Sequence, residues 1–400
     1  MKRIRACAIV LPSLLLFACG ATPAATADGA DATAAGTDAT ADTAADVAPV
    51  DVATDAANAT DDAAAGDTAM PSGDPLAGLG ACVGSAQALT VSALMPYATV
   101  GIGANSEASG AFVLDFSSTF SSIDLAAFVT PPTTSGCDAT VLGSTCTVAD
   151  FHVFGAVYKA SLVLENFSGL AGPLRQAGIV GTDFLSMHVV SLSYAENKIF
   201  AAPAATACTG DALHQAGLVA LSTAGYYQHD LTLLNPYTIV DTTATPGGHV
   251  PNVPTVPVRI AGVSALAQLD TGFSDALVNH SVNINTAFLA ALQKANPTAL
   301  VRDAKLDTKL TTCMANVQEP AEAYHLASGQ QFELIADDGS VARVWADATI
   351  FVKKTPVAAH SCGGIGTWTV PAAQVGASFY VGLGTVVFDP FAAKVWLPKN

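Results

Sequence analysis

The sequence has few charged residues, few aromatic residues and little positive charge. Only 12% of its 400 residues are Asp, Glu, Lys or Arg and only 7% are aromatic, whereas 51% are hydrophobic. This composition excludes a wholly disordered chain, a coiled coil and a helical repeat array. With 16 Lys and Arg against 33 Asp and Glu, the chain lacks the basic face that nucleic-acid binding requires. We therefore expect no nucleic-acid partner.

Several patterns that mark other classes of enzyme are also missing. The sequence contains no Cys-x-x-Cys pair and no two histidines at a metal-ligand spacing. It contains no Gly-x-Ser-x-Gly elbow of the kind that serine hydrolases use. We therefore expect neither a metal site nor another cofactor.

The first twenty residues have the pattern of an export signal. Basic residues at positions 2, 3 and 5 precede an apolar run at 6–18, which is shorter than the ~20 residues that span a bilayer. The run ends in Leu16-Phe17-Ala18-Cys19-Gly20, which resembles the lipobox of bacterial lipoproteins. The resemblance implies cleavage before Cys19, lipidation of Cys19, and an outer-membrane lipoprotein of a diderm bacterium, facing the periplasm or the surface. The alternative is an ordinary signal peptide with an incidental cysteine.

The segment that follows this signal peptide (residues 1–18) is acidic and poor in large apolar groups. Residues 20–80 contain eleven Asp and no Lys, Arg or Glu, among many Ala and Thr. Such a segment cannot bury enough apolar surface to offset the entropy lost on ordering. Residues 19–80 are therefore predicted to form a disordered, self-repelling tether.

Six cysteines remain after Cys7 is removed with the signal and Cys19 is set aside. An even number in an exported chain predicts three disulfides, although six cysteines allow many pairings. Proximity along the chain favours Cys137–Cys146, Cys82–Cys208 and Cys313–Cys362.

Beyond residue 80, short runs rich in Val, Ile, Leu, Phe and Thr are separated by Gly and Pro. This pattern predicts an all-β body. The best candidate for a helix is Asn285–Lys294. The turn-rich stretch near residues 240–254 divides the body into 81–245 and 246–400.

The two parts of this body have the same order of sequence features. In 97–125 and in 256–278, a strand and a turn lead to a second apolar strand, which ends in Asp before small or hydroxyl residues. In 178–201 and in 373–397, an apolar residue and Gly precede a short Phe-containing segment and two further strands. The repetition indicates an internal duplication.

The second copy carries the motif Asp270-Thr271-Gly272, which resembles the active-site motif of aspartic peptidases. Val375-Gly376 and the strand 385–389 are similar to the second half-motif and the closing strand of that family. The resemblance covers about residues 85–398. It implies a bilobal, pepsin-like or retropepsin-like fold of two related β lobes, with a cleft between them. It also implies one catalytic aspartate from each lobe, which places Asp115 opposite Asp270.

The resemblance also implies supporting roles for the residues that follow each aspartate. In the family, the hydroxyl of a Thr after the Asp links the two lobes, which implies this role for Thr271. The Gly that follows has no Cβ, so its N–H can approach the carboxylate, which implies this role for Gly272. A hydroxyl next in sequence often holds the outer carboxylate oxygen, and Ser118 matches it. The first copy has Phe116 where Thr is expected and Ser117 where Gly is expected. We expect Phe116 to lose the Thr bond and the Cβ of Ser117 to crowd Asp115.

The family resemblance implies an endopeptidase that acts on peptides or proteins, and we expect a monomer. The alternative is a catalytically inactive surface protein that kept the fold and binds a peptide or protein ligand. A hairpin over the substrate is expected within Asp150–Gly169, with Tyr158 as the candidate flap aromatic. The alternative for Tyr158 is an ordinary core or edge aromatic.

Overall fold

The structure is a computed structural model, which describes residues 73–169, 174–224, 252–274, 278–311, 317–362 and 364–399. The predicted signal peptide, the predicted lipidation residue Cys19, most of the predicted tether and the boundary at residues 245 and 246 lie outside these ranges. Within them, no helix is long and apolar enough to cross a membrane.

The described chain consists mainly of short strands, which confirms the predicted all-β class. The first eleven strands are β1 (Ser85–Ala88), β2 (Thr90–Ser92), β3 (Met95–Ile102), β4 (Ala108–Leu114), β5 (Ser122–Ile123), β6 (Thr145–Val153), β7 (Ala156–Leu164), β8 (Gln176–Val180), β9 (Val189–Ser193), β10 (Lys198–Ala202) and β11 (Leu218–Ser222). The later strands are β12 (Thr255–Ile260), β13 (Val263–Leu269), β14 (His280–Asn285), β15 (Leu300–Arg302), β16 (Thr308–Thr311), β17 (Gln318–Leu326), β18 (Phe332–Ile335), β19 (Val341–Trp345), β20 (Ala348–Lys353), β21 (Ala372–Val375), β22 (Thr385–Asp389) and β23 (Lys394–Pro398). The α-helices are α1 (Thr182–Leu185), α2 (Gly210–Gln215), α3 (Thr286–Ala295) and α4 (Ala377–Leu383).

These strands form three sheets. The first-half sheet has seven strands in the order β2-β3-β4-β8-β5-β7-β6. The second-half sheet has ten, in the order β15-β17-β20-β14-β21-β13-β12-β18-β19 with β16 paired to β17. The shared sheet takes strands from both halves, in the order β1-β10-β9-β22-β23-β11.

The same local arrangement occurs in both halves, as the repeated sequence pattern predicts. In the first half, β4 runs parallel to β8, and in the second half β13 runs parallel to β21. The next pairs, β5 with β7 and β14 with β20, are parallel as well. Each half then continues from a glycine into a short helix, α1 after Gly181 and α4 after Gly376. The ends of β4 and β13 are therefore placed in equivalent positions.

The predicted helix at Asn285–Lys294 is confirmed to within one residue as α3. Asn285 precedes the helix, and its side-chain oxygen accepts the main-chain N–H of Phe288 at 2.9 Å. This bond satisfies one of the N–H groups that a helix start leaves without a partner.

The shared sheet is covered on both faces, so all five residues of β22 are buried. Side chains alternate between the faces of a strand. Val386 and Phe388 point into the main core between the sheets. Val387 points to the opposite face, where it packs with Leu76 and with Leu213 of α2. Residues 73–83, called the entering segment, therefore lie on the back of the shared sheet, away from Phe388.

Polar contacts attach this entering segment to the back face. Asp74 accepts the hydroxyls of Ser193 at 2.8 Å and Thr385 at 3.0 Å, and it also accepts the main-chain N–H of Leu76. Because its carboxylate joins β9 to β22 from outside, the first described residues are an integral part of the fold.

Two of the three predicted disulfides are confirmed. Cys82 is bonded to Cys208 and Cys137 is bonded to Cys146. The first links the entering segment to the residues that precede α2, and the second closes a short loop of the first half. The predicted partner of Cys362, Cys313, lies outside the described residues.

Candidate active site

The ends of two equivalent strands position the two predicted catalytic aspartates. Asp115 follows β4, and its main-chain N–H donates to Val180 O at 3.0 Å. Asp270 follows β13, and its N–H donates to Val375 O at 2.9 Å. Both bonds extend a parallel strand pair by one residue, so each aspartate is fixed to the strand beside it.

The structure brings these two side chains into direct contact. The two carboxyls lie close enough for each to act on the pKa of the other, and the Ser117 hydroxyl acts on both. Gly272 lies against the opposite carboxyl, because a Cβ at this position would come within 2.5 Å of Asp115 Cγ and Oδ2. Its main-chain N–H donates to Asp270 Oδ1 at 2.9 Å. Only glycine allows the backbone this close, which explains the glycine of the Asp-Thr-Gly motif.

Thr271 connects the two halves beneath the carboxyls. Its hydroxyl donates to Leu114 O at 2.5 Å and accepts the main-chain N–H of Phe116 at 3.1 Å. The side chain is fully buried, and its partners lie more than 150 residues earlier in the chain. This pair of bonds holds the ends of β4 and β13 at a fixed separation.

Phe116 occupies the position where the resemblance to aspartic peptidases leads us to expect a threonine. The ring is fully buried and stacks on Phe388 of the shared sheet, with centroids 3.6 Å apart and planes 12° apart. A phenyl ring cannot make a hydroxyl bond, as expected. Instead it fixes the end of β4 to the core of the shared sheet by stacking.

The expectations for Ser117 and Ser118 were wrong. The Cβ of Ser117 was expected to crowd Asp115, but the main-chain N–H and the hydroxyl of Ser117 each donate to Asp115 Oδ1 at 2.8 Å. Ser118 was expected to hold the carboxylate with its hydroxyl, which instead donates to Phe120 O at 2.7 Å. The supporting hydroxyl is therefore one residue earlier than the family pattern implies, because the Ser117 side chain turns toward the site.

Gln374 is a site residue that the sequence reasoning missed. Its amide Nε2 donates to Asp270 Oδ2, and its Oε1 accepts Asn283 Nδ2 at 3.0 Å. The available signal was a polar residue in an otherwise apolar strand, two positions before Gly376.

Burial raises the pKa of both aspartates, although the interaction with Asp270 lowers that of Asp115. Burial is the largest cause for each, and for Asp270 the charge of Asp115 adds to it, which brings the pKa of Asp270 to about 8. The Ser117 hydroxyl and, for Asp270, the Gly272 N–H and the charge of Lys353 act in the opposite direction. Two adjacent buried carboxyls do not ionise together easily, because their like charges repel each other.

Two further titratable side chains interact with the pair. Burial raises the pKa of Glu165, and the charge of Asp115 raises it further. Burial also raises the pKa of Tyr380, and the charge of Asp270 adds to the effect. The Tyr380 hydroxyl donates to Val375 O at 3.1 Å, beside the main-chain bond that fixes Asp270.

Tyr158 is half-buried and packs against the core of the first half. The predicted hairpin is present as β6 and β7, and Tyr158 lies on β7. Its ring packs edge-to-face on Phe184, with centroids 5.4 Å apart and planes 72° apart. This contact is the one expected of an ordinary core or edge aromatic, and the flap role of Tyr158 stays a prediction.

Comparisons with protein-family profiles and with curated proteins found no match for this chain. Within the described ranges, no group of three or more His, Cys, Asp or Glu side chains is arranged to hold a metal ion. The interpretation of the site therefore rests on its own geometry.

The buried carboxyls predict that the protein is more stable in mild acid than at alkaline pH. The pKa of Asp270 is raised to about 8 and that of Asp183 to about 6, both mainly by burial. A carboxyl with a raised pKa stabilises the fold while it is protonated, and this contribution is lost as the pH rises from the unfolded pKa through the folded one. We expect Tm to fall by several degrees between about pH 5 and about pH 8 in a thermal melt, since one pKa unit is about 1.4 kcal/mol.

The control for this prediction is Asp270→Asn, which should remove the upper part of the decline while leaving the part due to Asp183. Exposed carboxyls such as Asp138 and Asp307 have lowered pKa values, so their ionisation affects stability only below about pH 5. A Tm that increases steadily from pH 5 to pH 8 would contradict the assignment.

Proposed function

We propose that this protein is an exported aspartic endopeptidase with a bilobal, pepsin-like fold, acting as a monomer. The first-half and second-half sheets correspond to the two lobes, and the shared sheet joins them. The observation that carries the proposal is the direct contact between Asp115 and Asp270, each at the end of an equivalent strand. Buried carboxyls that share one proton provide an acid and a base at the same place.

The reaction follows from this single shared proton. The ionised carboxyl takes a proton from a water molecule as the water oxygen attacks the carbonyl carbon of a peptide bond. The protonated carboxyl donates its proton to the carbonyl oxygen, which gives a tetrahedral diol. The diol then collapses as the C–N bond breaks: the leaving nitrogen takes the proton held by the pair, and one diol hydroxyl returns its proton to the pair as the C=O bond of the acid forms. A carboxylic acid and an amine are released, and the pair again holds one proton.

The supporting contacts keep the two carboxyls in position for these transfers. Thr271 fixes the distance between the strand ends, and the Gly272 N–H orients Asp270. Ser117 orients Asp115 with two donors to one oxygen. Positioned groups need no reorganisation when charge develops in the transition state.

The test of this proposal is cleavage of a diverse peptide library by the purified full chain between about pH 3 and pH 7, with the products identified by mass spectrometry. We expect cleavage inhibited by a statine-containing peptide, whose hydroxyl takes the place of the attacking water. Cleavage that is insensitive to the statine would point to another catalytic group.

The second candidate is a binding protein that kept the fold without catalysis. The replacement of Thr and Gly by Phe116 and Ser117 in the first half favours it. In that case the full chain would bind a peptide or protein and leave the whole library uncut.

We also propose that the protein is attached to the outer membrane through a lipid on Cys19. The lipobox-like sequence before Cys19 supports this proposal. The entering segment lies on the back of the shared sheet, whereas Phe116 stacks on the front-facing ring of Phe388. A body attached through this segment would be held from the face opposite the aspartates.

Replacing Cys19 with serine is expected to move the protein from the membrane fraction to the soluble fraction, or to leave it with its signal uncleaved. Two or more acyl chains are needed for stable anchoring, and a serine side chain at this position would carry none. The measurement is fractionation of cells, with Cys7→Ser as the control because Cys7 lies within the signal. Normal membrane fractionation of the Cys19 variant would contradict the lipid anchor.

A further inference from the structure

The two halves differ at one position beside the aspartates. Gln374 and Ile179 are each the second residue before the glycine that precedes a helix, in β21 and in β8. The first half therefore presents an aliphatic side chain at this position, and the second half presents an amide.

The amide of Gln374 is held in one orientation. Gln374 and Asn283 are register partners in the antiparallel pair β21–β14. Asn283 is almost fully buried, and its Nδ2 donates to Gln374 Oε1 at 3.0 Å. Because the carbonyl oxygen of Gln374 accepts this bond, its NH₂ group faces Asp270 Oδ2 and donates to it.

The second half lacks the side-chain hydroxyl that would donate to Asp270, and the Gln374 amide supplies a hydrogen bond instead. The residue after Gly272 is Phe273, which carries no hydroxyl. Its ring lies against Gly376, where an added Cβ would come within 2.8 Å of Phe273 Cδ1. Asp270 Oδ1 accepts the Gly272 N–H, so Gln374 supplies the bond to the other oxygen.

We propose that Gln374 is a positioning residue of the aspartate pair, which replaces the hydroxyl missing at Phe273 and, by donating to Asp270 Oδ2, favours the ionised form of Asp270. The catalytic meaning of this role rests on the proposed function, whereas the effect on titration does not. A hydrogen bond to the charged form of a carboxyl favours that form.

The Ser117 hydroxyl and the Gly272 N–H also favour the ionised form of Asp270, whereas the charged and titratable groups around it act in both directions. Asp115 and Tyr380 both interact with Asp270, and their negative forms oppose its ionisation. Glu165 acts in the same sense on Asp115. Lys353 favours ionisation of Asp270, but its Nζ is paired with a carboxylate oxygen of Glu319 at 3.1 Å.

The experiment compares Gln374→Met with Gln176→Met in the full chain. Methionine keeps the length of the side chain and removes the donor. Gln176 is a buried glutamine on β8 that accepts the Tyr97 hydroxyl at 3.1 Å, so it is a matched control in the first half. The measurement is the free energy of unfolding as a function of pH, from denaturant titrations.

For Gln374→Met we expect the alkaline fall in stability to move to higher pH by about one unit, because the ionised form loses a donor. For Gln176→Met we expect lower stability at every pH, while the pH at the midpoint of the alkaline fall stays the same. This pH is called the midpoint below. Adding Phe273→Thr to Gln374→Met should move the midpoint back, since a hydroxyl returns at the family position. If Gln374→Met does not fold, Gln374→Glu retains the shape and should move the midpoint in the same direction.

An unchanged midpoint in the Gln374 variants would overturn the proposal, whether or not the protein cleaves peptides. A moved midpoint in a protein that cleaves no peptide would support the positioning role and reject the peptidase function alone. In an active protein, the pH optimum of cleavage should move in the same direction as the midpoint.

Discussion

Replacing Asp270 with Asn should reduce peptide cleavage by at least about a thousandfold, and replacing Asp115 with Asn should do the same. The reason is that the reaction needs one protonated and one ionised carboxyl at the same moment. An amide can still accept the hydrogen bond from Gly272 or Ser117, so the fold should remain, but it cannot exchange a proton. The measurement is the rate of cleavage of one library peptide by each variant.

The matched control is Asp389→Asn. Asp389 is buried, its pKa is raised by burial, and it accepts the main-chain N–H groups of Phe391 and Ala392 in the turn between β22 and β23. Its contacts are with that turn and not with the aspartate pair. Activity retained in Asp389→Asn and lost in both other variants supports the pair, whereas substantial activity in either Asp115→Asn or Asp270→Asn would exclude it.

The second large effect is expected on stability, from Phe116. Truncation to alanine should cost about 3–5 kcal/mol, because a fully buried ring is removed and a cavity is left against Phe388. Phe116→Thr should also destabilise the protein strongly, even though threonine is the family residue at this position. Its hydroxyl could form a bond, but it cannot fill the space that the ring occupies in the core.

Denaturant titrations of these variants measure the effect. Phe120→Ala is the control, because its ring is 37% exposed and its loss should change stability by only about 0.5 kcal/mol. Equal losses from Phe116→Ala and Phe120→Ala would contradict the role of the stack. A Phe116→Thr protein as stable as the natural one would show that the core tolerates the family residue.

Much of the fold was predictable because local signals agree with the repeated pattern. Short apolar runs separated by Gly and Pro indicated the strands, and Asn285–Lys294 was the best candidate for the helix α3. The resemblance to aspartic peptidases implied that Asp115 lies opposite Asp270, and the repetition gave each of them an equivalent strand end. The even number of cysteines in an exported chain predicted disulfides, and proximity along the chain suggested the pairs Cys82–Cys208 and Cys137–Cys146.

The details of the site could not be predicted, because they depend on side-chain directions and on register between distant strands. Nothing in the sequence indicates that Ser117 turns toward Asp115 while Ser118 turns toward Phe120. Gln374 reaches Asp270 across 104 positions in the chain, and its orientation depends on the register of β14 against β21. An aromatic in a hairpin, such as Tyr158, fits either a core or a flap until its neighbours are known.

The most direct test of the proposed aspartate pair is a titration of its carboxyl carbons by ¹³C NMR, with ¹³C-labelled aspartate in the full chain. We predict that one carboxyl of the pair stays protonated through neutral pH and loses its proton near the value of about 8 to which the pKa of Asp270 is raised. This step should disappear in Asp270→Asn, whereas Asp389→Asn should leave it in place. If Asp115 and Asp270 are instead both fully ionised by about pH 6, as independent carboxyls would be, the two do not share a proton and the proposed mechanism is wrong.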